Sequence, residues 1–341
     1  MDFYMQAAHS PSSSSRVKGE GAASLHTTAY RIGPHRVMLH DASCYRLAEL
    51  LAPAFAPFEE EGVVNDSVLM QLMVNHQLEQ EESSAVSEEK TLSFDWDDAF
   101  CRITFLASGE HLITITPKQS ATTYCLRSHA SFASAHLGLP MGVAADEVRF
   151  VVNNYLMMLY AFAAAPHGLL LFHASAIVHQ GKAYLFLGKS GTGKSTHSRL
   201  WLSTIPQCKL LNDDNPLVEV DSMRQKVTAY GSPWSGKTPC YLHEAYPLGG
   251  IVRLAQAPVN EIRPLTQVAA FAAVMPSCSM LRQEASVVHG AMQTIHQLIQ
   301  RVPVFSLRCL PNAEAALLSA KHLVGTSAHT SNGYGERRSH G

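Results

Sequence analysis

The chain carries few charged residues, and neither sign of charge dominates. Charged side chains make up 16% of the 341 residues, and the formal net charge at pH 7 is −2. Binding along a nucleic-acid backbone needs a basic surface, which this composition does not supply, so we expect no nucleic-acid partner. Because 46% of the residues are hydrophobic, the chain can form a sizeable core and has room for two domains.

Cysteine is sparse, and its spacing forms no recognisable pattern. The seven cysteines contain no C-x-x-C pair, and residues 1–5 lack the cationic start of a signal peptide. These absences argue against disulfides and structural zinc, and they predict a cytoplasmic protein with reduced thiols.

Long uninterrupted apolar runs are also missing. The best candidate, residues 148–165, is broken by Arg149, Asn153 and Asn154. A membrane-spanning helix needs about 20 consecutive apolar residues. We therefore expect a buried core helix here and no membrane span.

Composition divides the chain into four regions. Residues 1–28 and 326–341 are polar and rich in serine or glycine, which predicts a disordered arm and a disordered tail. Short strand-like segments over 29–145 predict a β-rich α+β domain, which could recognise a substrate or only support the rest. Mixed strand and helix patterns over 146–325 predict a second domain of the α/β class.

A complete phosphate-loop motif is present at residues 188–195. It matches G-x-x-x-x-G-K-[ST], with the strand-like run 183–187 before it and the helix-like run 196–202 after it. The glycines let backbone N–H groups turn inward, and the following helix adds the positive end of its dipole. A glycine-rich turn without a ligand is the alternative interpretation. The predicted nucleotide-binding residues are Gly188, Lys189, Ser190, Gly191, Thr192, Gly193, Lys194, Ser195 and Thr196.

The segment before this motif predicts a β-hairpin. Residues 169–178 form a strand pattern, and the short turn 179–182 leads directly into the strand that precedes the motif. A parallel neighbour would need a crossover of about a dozen residues or more, so we expect an antiparallel pair. His173 lies within the first strand of this hairpin. It is either a core histidine or a residue that orients an aspartate beside the motif.

Asp213 and Asp214 follow a short apolar strand and are the best candidates for a second carboxylate site. At the end of a strand both side chains can face one site. One carboxylate can then hold Mg²⁺ together with Ser195, while the other accepts a proton from a hydroxyl nucleophile. The alternative is an Asx turn before Asn215.

Lys237 ends a loop of Gly, Ser, Pro and Trp residues, 231–237. Loops of this kind close over ligands, and the lysine charge would neutralise phosphate oxygens. A plain surface loop is the alternative.

Together these segments resemble the HPr kinase-like proteins, a family that shares a nucleotide-binding core with phosphoenolpyruvate carboxykinases. The resemblance rests on residues 173–175, 188–196, 211–214 and 233–237. It implies a P-loop core with a mixed sheet, placed after the β-rich N-terminal domain. It also implies ATP- and Mg²⁺-dependent phosphorylation of a serine-type hydroxyl, and assembly into homo-oligomers.

The resemblance further implies a role for each residue of the site. Asp213 is the general base, and His173 supports it. Asp214 and Ser195 serve Mg²⁺, and Lys194 binds the β/γ-phosphates.

Thr196 departs from the pattern of this family, because bacterial HPr kinases carry a glutamate at this point. The departure favours a peptide, another protein or a small hydroxylated molecule over HPr as the acceptor. The leading hypothesis is therefore a kinase that transfers the ATP γ-phosphate to a hydroxyl. The alternative is an ATPase, or an ATP-gated binding module, that makes no phosphorylated product.

Overall fold

The computed structural model describes residues 24–62, 67–76, 90–96, 98–236 and 238–326. They form two compact units with mixed sheets and helices, and each unit combines segments that are distant in sequence. The first unit runs up to His167 and adds Ser232–His243 and Ser279–Gly290. The second takes Gly168–Gly231, Glu244–Cys278 and the chain from Ala291 onward.

The first unit is built on a sheet with the strand order β3-β1-β2-β4-β9-β8-β7-β6-β5. Strand β4 is parallel to β2 and to β9, and the other neighbours are antiparallel. Along β7, buried residues alternate with partly buried ones, as expected when one face covers a core. The strands are β1 (His26–Ile32), β2 (His35–Asp41), β3 (Glu59–Glu60), β4 (Val68–Asn75), β5 (Thr91–Asp95), β6 (Ala99–Phe105), β7 (His111–Pro117), β8 (Tyr124–Ser128) and β9 (Ser134–Gly138).

Two helices, α1 (Leu47–Phe55) and α2 (Ala145–Ala164), belong to the first unit. Helix α2 is buried along nearly its whole length. With the turn that follows it, α2 is long and apolar enough to cross a membrane. However, 89% of its most apolar stretch is buried inside the protein. That degree of burial is typical of a core helix, which is what the sequence predicted for this segment.

Hydroxyl groups on α2 bond to the sheet of the first unit. Tyr155 donates to the carbonyls of Ile113 and Tyr124 at 3.0 and 2.8 Å, and Tyr160 donates to the carbonyl of Ile32 at 2.5 Å. These bonds explain why α2 belongs to the first unit, whereas the sequence division at residue 146 assigned it to the second domain.

The ends of the chain are described only in part. Of the predicted arm 1–28, residues 1–23 lie outside the described residues, and β1 begins at His26. Of the predicted tail, residues 327–341 lie outside them, and the last helix ends at Thr326.

The second unit contains a mixed sheet with the order β10-β14-β15-β16-β12-β11-β13, and β18 joins it through β16. Its strands are β10 (Leu169–Leu171), β11 (Ala174–His179), β12 (Lys182–Leu187), β13 (Lys209–Asp214), β14 (Leu217–Asp221), β15 (Lys226–Tyr230), β16 (Ala245–Gln256), β17 (Glu261–Pro264) and β18 (Val304–Cys309). The remaining helices are α3 (Lys194–Thr204), α4 (Gln267–Val274), α5 (Ala285–Arg301) and α6 (Ala313–Thr326), and the residues of α5 up to Gly290 are assigned to the first unit.

The predicted hairpin before the 188–195 loop is confirmed. Strand β11 pairs antiparallel with β12 on one side and with β13 on the other. Strand β12 is parallel to β16 on its far side. An apolar cluster that includes Phe186, Trp201 and Leu323 joins this part of the sheet to α3 and α6.

The strand predicted over 169–178 is interrupted at Phe172 and His173. The Phe172 N–H donates to the carbonyl of Pro216, and the His173 N–H donates to the carbonyl of Ser277 at 2.7 Å. The placement of His173 in mid-strand was therefore wrong. It lies in a short break between β10 and β11, and its side chain turns toward the end of β13.

Replacing Tyr155 by Phe tests how α2 is held in the first unit. The substitution removes one hydroxyl that serves two buried carbonyls, so we expect the free energy of unfolding to fall by about 1–3 kcal/mol. Urea unfolding followed by circular dichroism measures the change. Tyr246→Phe deletes a hydroxyl whose partner, Glu244, has 37% of its side chain exposed, and it should cost less than about 0.5 kcal/mol. Equal losses in the two variants would contradict this account.

Candidate active site

The 188–195 loop connects β12 to α3 through backbone that favours glycine. Gly191 and Gly193 have φ values of 77° and 100°, in the left-handed region. At Gly188, an added Cβ would lie 2.3 Å from Oγ1 of Thr192. That hydroxyl donates to the carbonyl of Lys189 at 2.7 Å and closes the turn. Helix α3 then begins at Lys194, so its first free N–H groups lie at the end of the loop.

Lys194 is buried, with 8% of its surface exposed. Its Nζ donates to Nε2 of His173 at 2.8 Å and to the carbonyl of Gly188 at 3.0 Å. Burial lowers the pKa of the Lys194 ammonium below its ordinary value, and the charges of Asp214 and Asp213 act in the opposite direction. The ammonium is therefore held by acceptors of its own loop and by the histidine.

His173 links the lysine to a carboxylate. Its Nδ1 lies 3.1 Å from Oδ1 of Asp214. Because Lys194 donates to Nε2, the neutral ring carries its proton on Nδ1, facing Asp214. Lys194, His173 and Asp214 thus form a continuous chain of contacts. The sequence predicted that His173 would support Asp213, but the contact that forms is with Asp214.

Asp213 lies beside this chain of contacts, in register with Ser175 across the β11–β13 pair. Its Oδ1 is buried, and it has no hydrogen-bond partner among the described residues. The Ser175 hydroxyl shares a 2.6 Å hydrogen bond with the Ser198 hydroxyl of α3. Asp213 therefore belongs to the strand pair that packs on the loop helix, and its buried Oδ1 makes no hydrogen bond to the described residues.

The local backbone at the end of β13 is held by Asn212 and not by either aspartate. Its side-chain oxygen accepts from the N–H groups of Asp214 and Asn215 at 3.0 and 2.8 Å. The Asn215 amide in turn donates to Oδ2 of Asp214 at 2.8 Å. The Asx turn that was the alternative for the two aspartates is made by their neighbour, which leaves both carboxylates near Lys194.

Ser195 and Thr196 lie in the first turn of α3 and are partly exposed. A hydroxyl and one or two carboxylates, completed by phosphate oxygens and water, are the usual protein ligands of Mg²⁺. Ser195 and Asp214, the two Mg²⁺ ligands that the sequence predicted, supply a hydroxyl and a carboxylate. The described residues contain no group of three or more His, Cys, Asp or Glu side chains arranged to hold a metal.

Lys237, the remaining candidate from the sequence, lies outside the described residues. The residues at the end of its loop that are described include Trp234 and Ser235, which belong to the first unit.

A pocket of about 720 Å³ opens beside the loop, within the second unit. The loop and the first turns of α3 form one wall, and the carboxyl ends of the parallel strands β16 and β18 form the other. No sequence motif marks the residues of this second wall, because the pairing of β12 with β16 is not visible in the sequence. The lining residues are Gly191, Thr192, Gly193, Thr196, His197, Leu200, Leu254, Gln256, Ala257, Cys309, Leu310 and Pro311.

Helix α3 is fixed at this pocket by polar contacts with α6. Nε2 of His197 lies 3.0 Å from the Ser319 hydroxyl, and Nε1 of Trp201 donates to the same oxygen at 2.8 Å. Burial lowers the pKa of His197 to about 4. The ring is therefore neutral near pH 7 and adds no charge to the pocket.

Comparison with known proteins gives a matching family model and distant structural likenesses. The family model described as SynChlorMet cassette protein ScmC matches residues 142–312, half of the chain. The HPr(Ser) kinase/phosphatase from Coxiella burnetii is similar in structure with a TM-score of 0.28 and 13% identity, over 48% of this chain and 99% of that one. A likeness this distant establishes no shared activity. No curated protein matches the chain. The matching family model is thus not the HPr kinase family that the sequence motifs suggested.

The buried His197 predicts a specific loss of stability in acid. The unfolded chain binds a proton at an ordinary histidine pKa of about 6.5, whereas the folded chain does so only near 4, so stability falls as the pH drops between these values. We expect His197 to account for about 2 kcal/mol of the loss between pH 7 and pH 5.

Urea unfolding of the wild-type protein and His197→Gln at both pH values measures this contribution. The difference in free energy of unfolding between the wild type and His197→Gln should be smaller by that amount at pH 5 than at pH 7. The exposed His296→Gln serves as the control. A wild-type advantage that is the same at both pH values would contradict the assignment.

Proposed function

We propose that this chain, which belongs to the SynChlorMet cassette protein ScmC family, is an ATP-dependent phosphotransferase that acts on a hydroxyl group. The observation that carries the proposal is the chain of contacts from Lys194 through His173 to Asp214, beside the Oδ1 of Asp213, which is buried and makes no hydrogen bond to the described residues. A simple nucleotide-binding site needs the loop and its lysine, but it has no need for a second carboxylate held ready to accept a proton.

The loop supports the nucleotide part of the proposal. Its two left-handed glycines and the start of α3 present backbone N–H groups, which is the arrangement that binds phosphate in strand–loop–helix sites. Lys194 sits at its base, and phosphate oxygens would replace the carbonyls of Gly188 and Lys189 as its acceptors. The negative charge of a bound phosphate would also stabilise the charged form of this buried ammonium.

The carboxylates support the transfer part. Asp213 accepts the proton of the acceptor hydroxyl as that oxygen bonds to the γ-phosphorus. The bond from the γ-phosphorus to the β–γ bridging oxygen breaks, and ADP leaves. Asp214, oriented by His173 and Asn215, serves Mg²⁺ together with Ser195. When it is bound, Mg²⁺ supplies positive charge that neutralises the phosphate oxygens.

Phosphorus-31 NMR with Mg·ATP and a panel of serine-containing peptides and small alcohols tests the activity. We expect a new phosphomonoester signal with one acceptor class. Lys194→Ala should abolish ATP binding and product together, because it removes the charge at the base of the loop. Asp213→Asn should bind ATP normally and lose about 10²- to 10⁴-fold in rate, the usual contribution of a positioned base.

Two exposed substitutions provide matched controls for these variants. Lys226→Ala and Asp95→Asn remove the same kinds of group from the surface and should leave the rate unchanged. If Asp213→Asn lost ATP binding and rate equally, Asp213 would not be the base. If ATP gave only ADP and free phosphate across the panel, the ATPase alternative would replace the transferase.

A further inference from the structure

We infer that the pocket beside the 188–195 loop binds the purine base of the nucleotide, and that Gln256 selects adenine. This inference rests on the proposed function, because it assigns the other end of the nucleotide whose phosphates would occupy the loop. It names a ligand group and a selecting residue for a pocket that the phosphate-loop motif does not describe.

The position of the pocket supports the assignment. Gly191, Thr192 and Gly193 line it and also form the loop, so the pocket and the phosphate cradle share one wall. A ligand that fills both must therefore carry phosphates at one end and a compact group at the other. The volume, about 720 Å³, lies within the range that encloses small organic ligands.

The chemistry of the walls indicates a flat, mostly apolar group. The apolar lining comes from Leu200 on α3, Leu254 on β16, and Leu310 and Pro311, which follow β18. The imidazole of His197 is neutral near pH 7. No Asp, Glu, Lys or Arg side chain occurs among the lining residues that the structure describes. Such walls suit a purine ring and would desolvate a charged or strongly polar acceptor without compensation.

Gln256 supplies the selectivity. Its Nε2 donates to the carbonyl of Gly191 at 3.2 Å. This bond uses one end of the amide and leaves Oε1 as a hydrogen-bond acceptor at the rim of the pocket. The 6-amino group of adenine can donate a hydrogen bond to that oxygen. The 6-oxo group of guanine or hypoxanthine is itself an acceptor, so it can form no hydrogen bond there.

Binding measurements with ATP, GTP, ITP and inorganic tripolyphosphate test the inference on the whole chain. Tripolyphosphate probes the loop alone. We expect ATP to bind more tightly than tripolyphosphate by at least about tenfold, and GTP and ITP to bind about tenfold more weakly than ATP. Gln256→Leu should remove the preference for ATP over ITP. The exposed Gln267→Leu is the matched control and should keep the preference.

Filling the pocket provides a second, independent variant. Ala257 lines the pocket, whereas Val259, two residues further on, is 53% exposed and does not. Ala257→Trp should lower the affinity for ATP by at least about tenfold. The affinity for tripolyphosphate should stay within about twofold of the wild-type value. Val259→Trp should alter neither affinity. Circular dichroism of both variants verifies that they are folded.

Alkylation of Cys309 in the wild-type protein locates the base without any substitution. Cys309 lines the pocket and is a free thiol, and Cys44 is a free thiol of the first unit. Peptide mass spectrometry after iodoacetamide treatment at mildly alkaline pH should show that ATP slows the labelling of Cys309. Tripolyphosphate should not slow it, and Cys44 should react equally in every case.

The outcomes separate the two proposals. If tripolyphosphate binds, but ATP binds no better and Cys309 is not protected, the assignment of the pocket is wrong while the loop function stands. If protection occurs but Gln256→Leu keeps the preference for ATP over ITP, Gln256 is not the selecting residue. If neither ATP nor tripolyphosphate binds, and Lys194→Ala behaves as the wild type, both proposals fail.

Discussion

A lysine ammonium that is removed from water must be given acceptors, and at Lys194 this requirement organises the whole site. Its acceptors are the His173 ring and the carbonyls of Gly188 and Lys189. The histidine reaches the lysine because the strand is broken at this point and the carbonyl of Ser277 accepts from the His173 N–H. The burial of the Lys194 charge therefore depends on both the break in the strand and the curl of the loop.

Strand register fixes the carboxylates as firmly as the loop fixes the lysine. The antiparallel pairing places Ala174 opposite Asp214 and Ser175 opposite Asp213. A slip of one residue would turn each side chain to the other face of the sheet, and Asp213 would no longer share a face with Ser175. Asn212 stabilises this register by capping the end of the strand. Both carboxylates are thus positioned by backbone pairing, before any ligand is considered.

Several features of the site could be predicted from sequence because they depend on local chemistry. The loop motif, the hairpin before it and the acidic pair at the end of a strand all involve neighbours in the chain. The partner of His173 could not be predicted, because a break in a strand cannot be seen in an apolar run. Gln256 was missed because its position beside the loop depends on which strand lies next to β12. Only the structure gives that order.

The first unit is not continuous in the chain, and this affects how it can be made. The Trp234 ring packs against Tyr160 and Phe55, and Nε2 of His111 lies 3.3 Å from Oε2 of Glu284. Phe55 and His111 must therefore remain without these partners while the ribosome adds more than a hundred further residues. A fragment that ends after α2 would expose the apolar surface that Trp234 covers. The N-terminal half is synthesised first, but the first unit cannot finish folding until the later segments have been made.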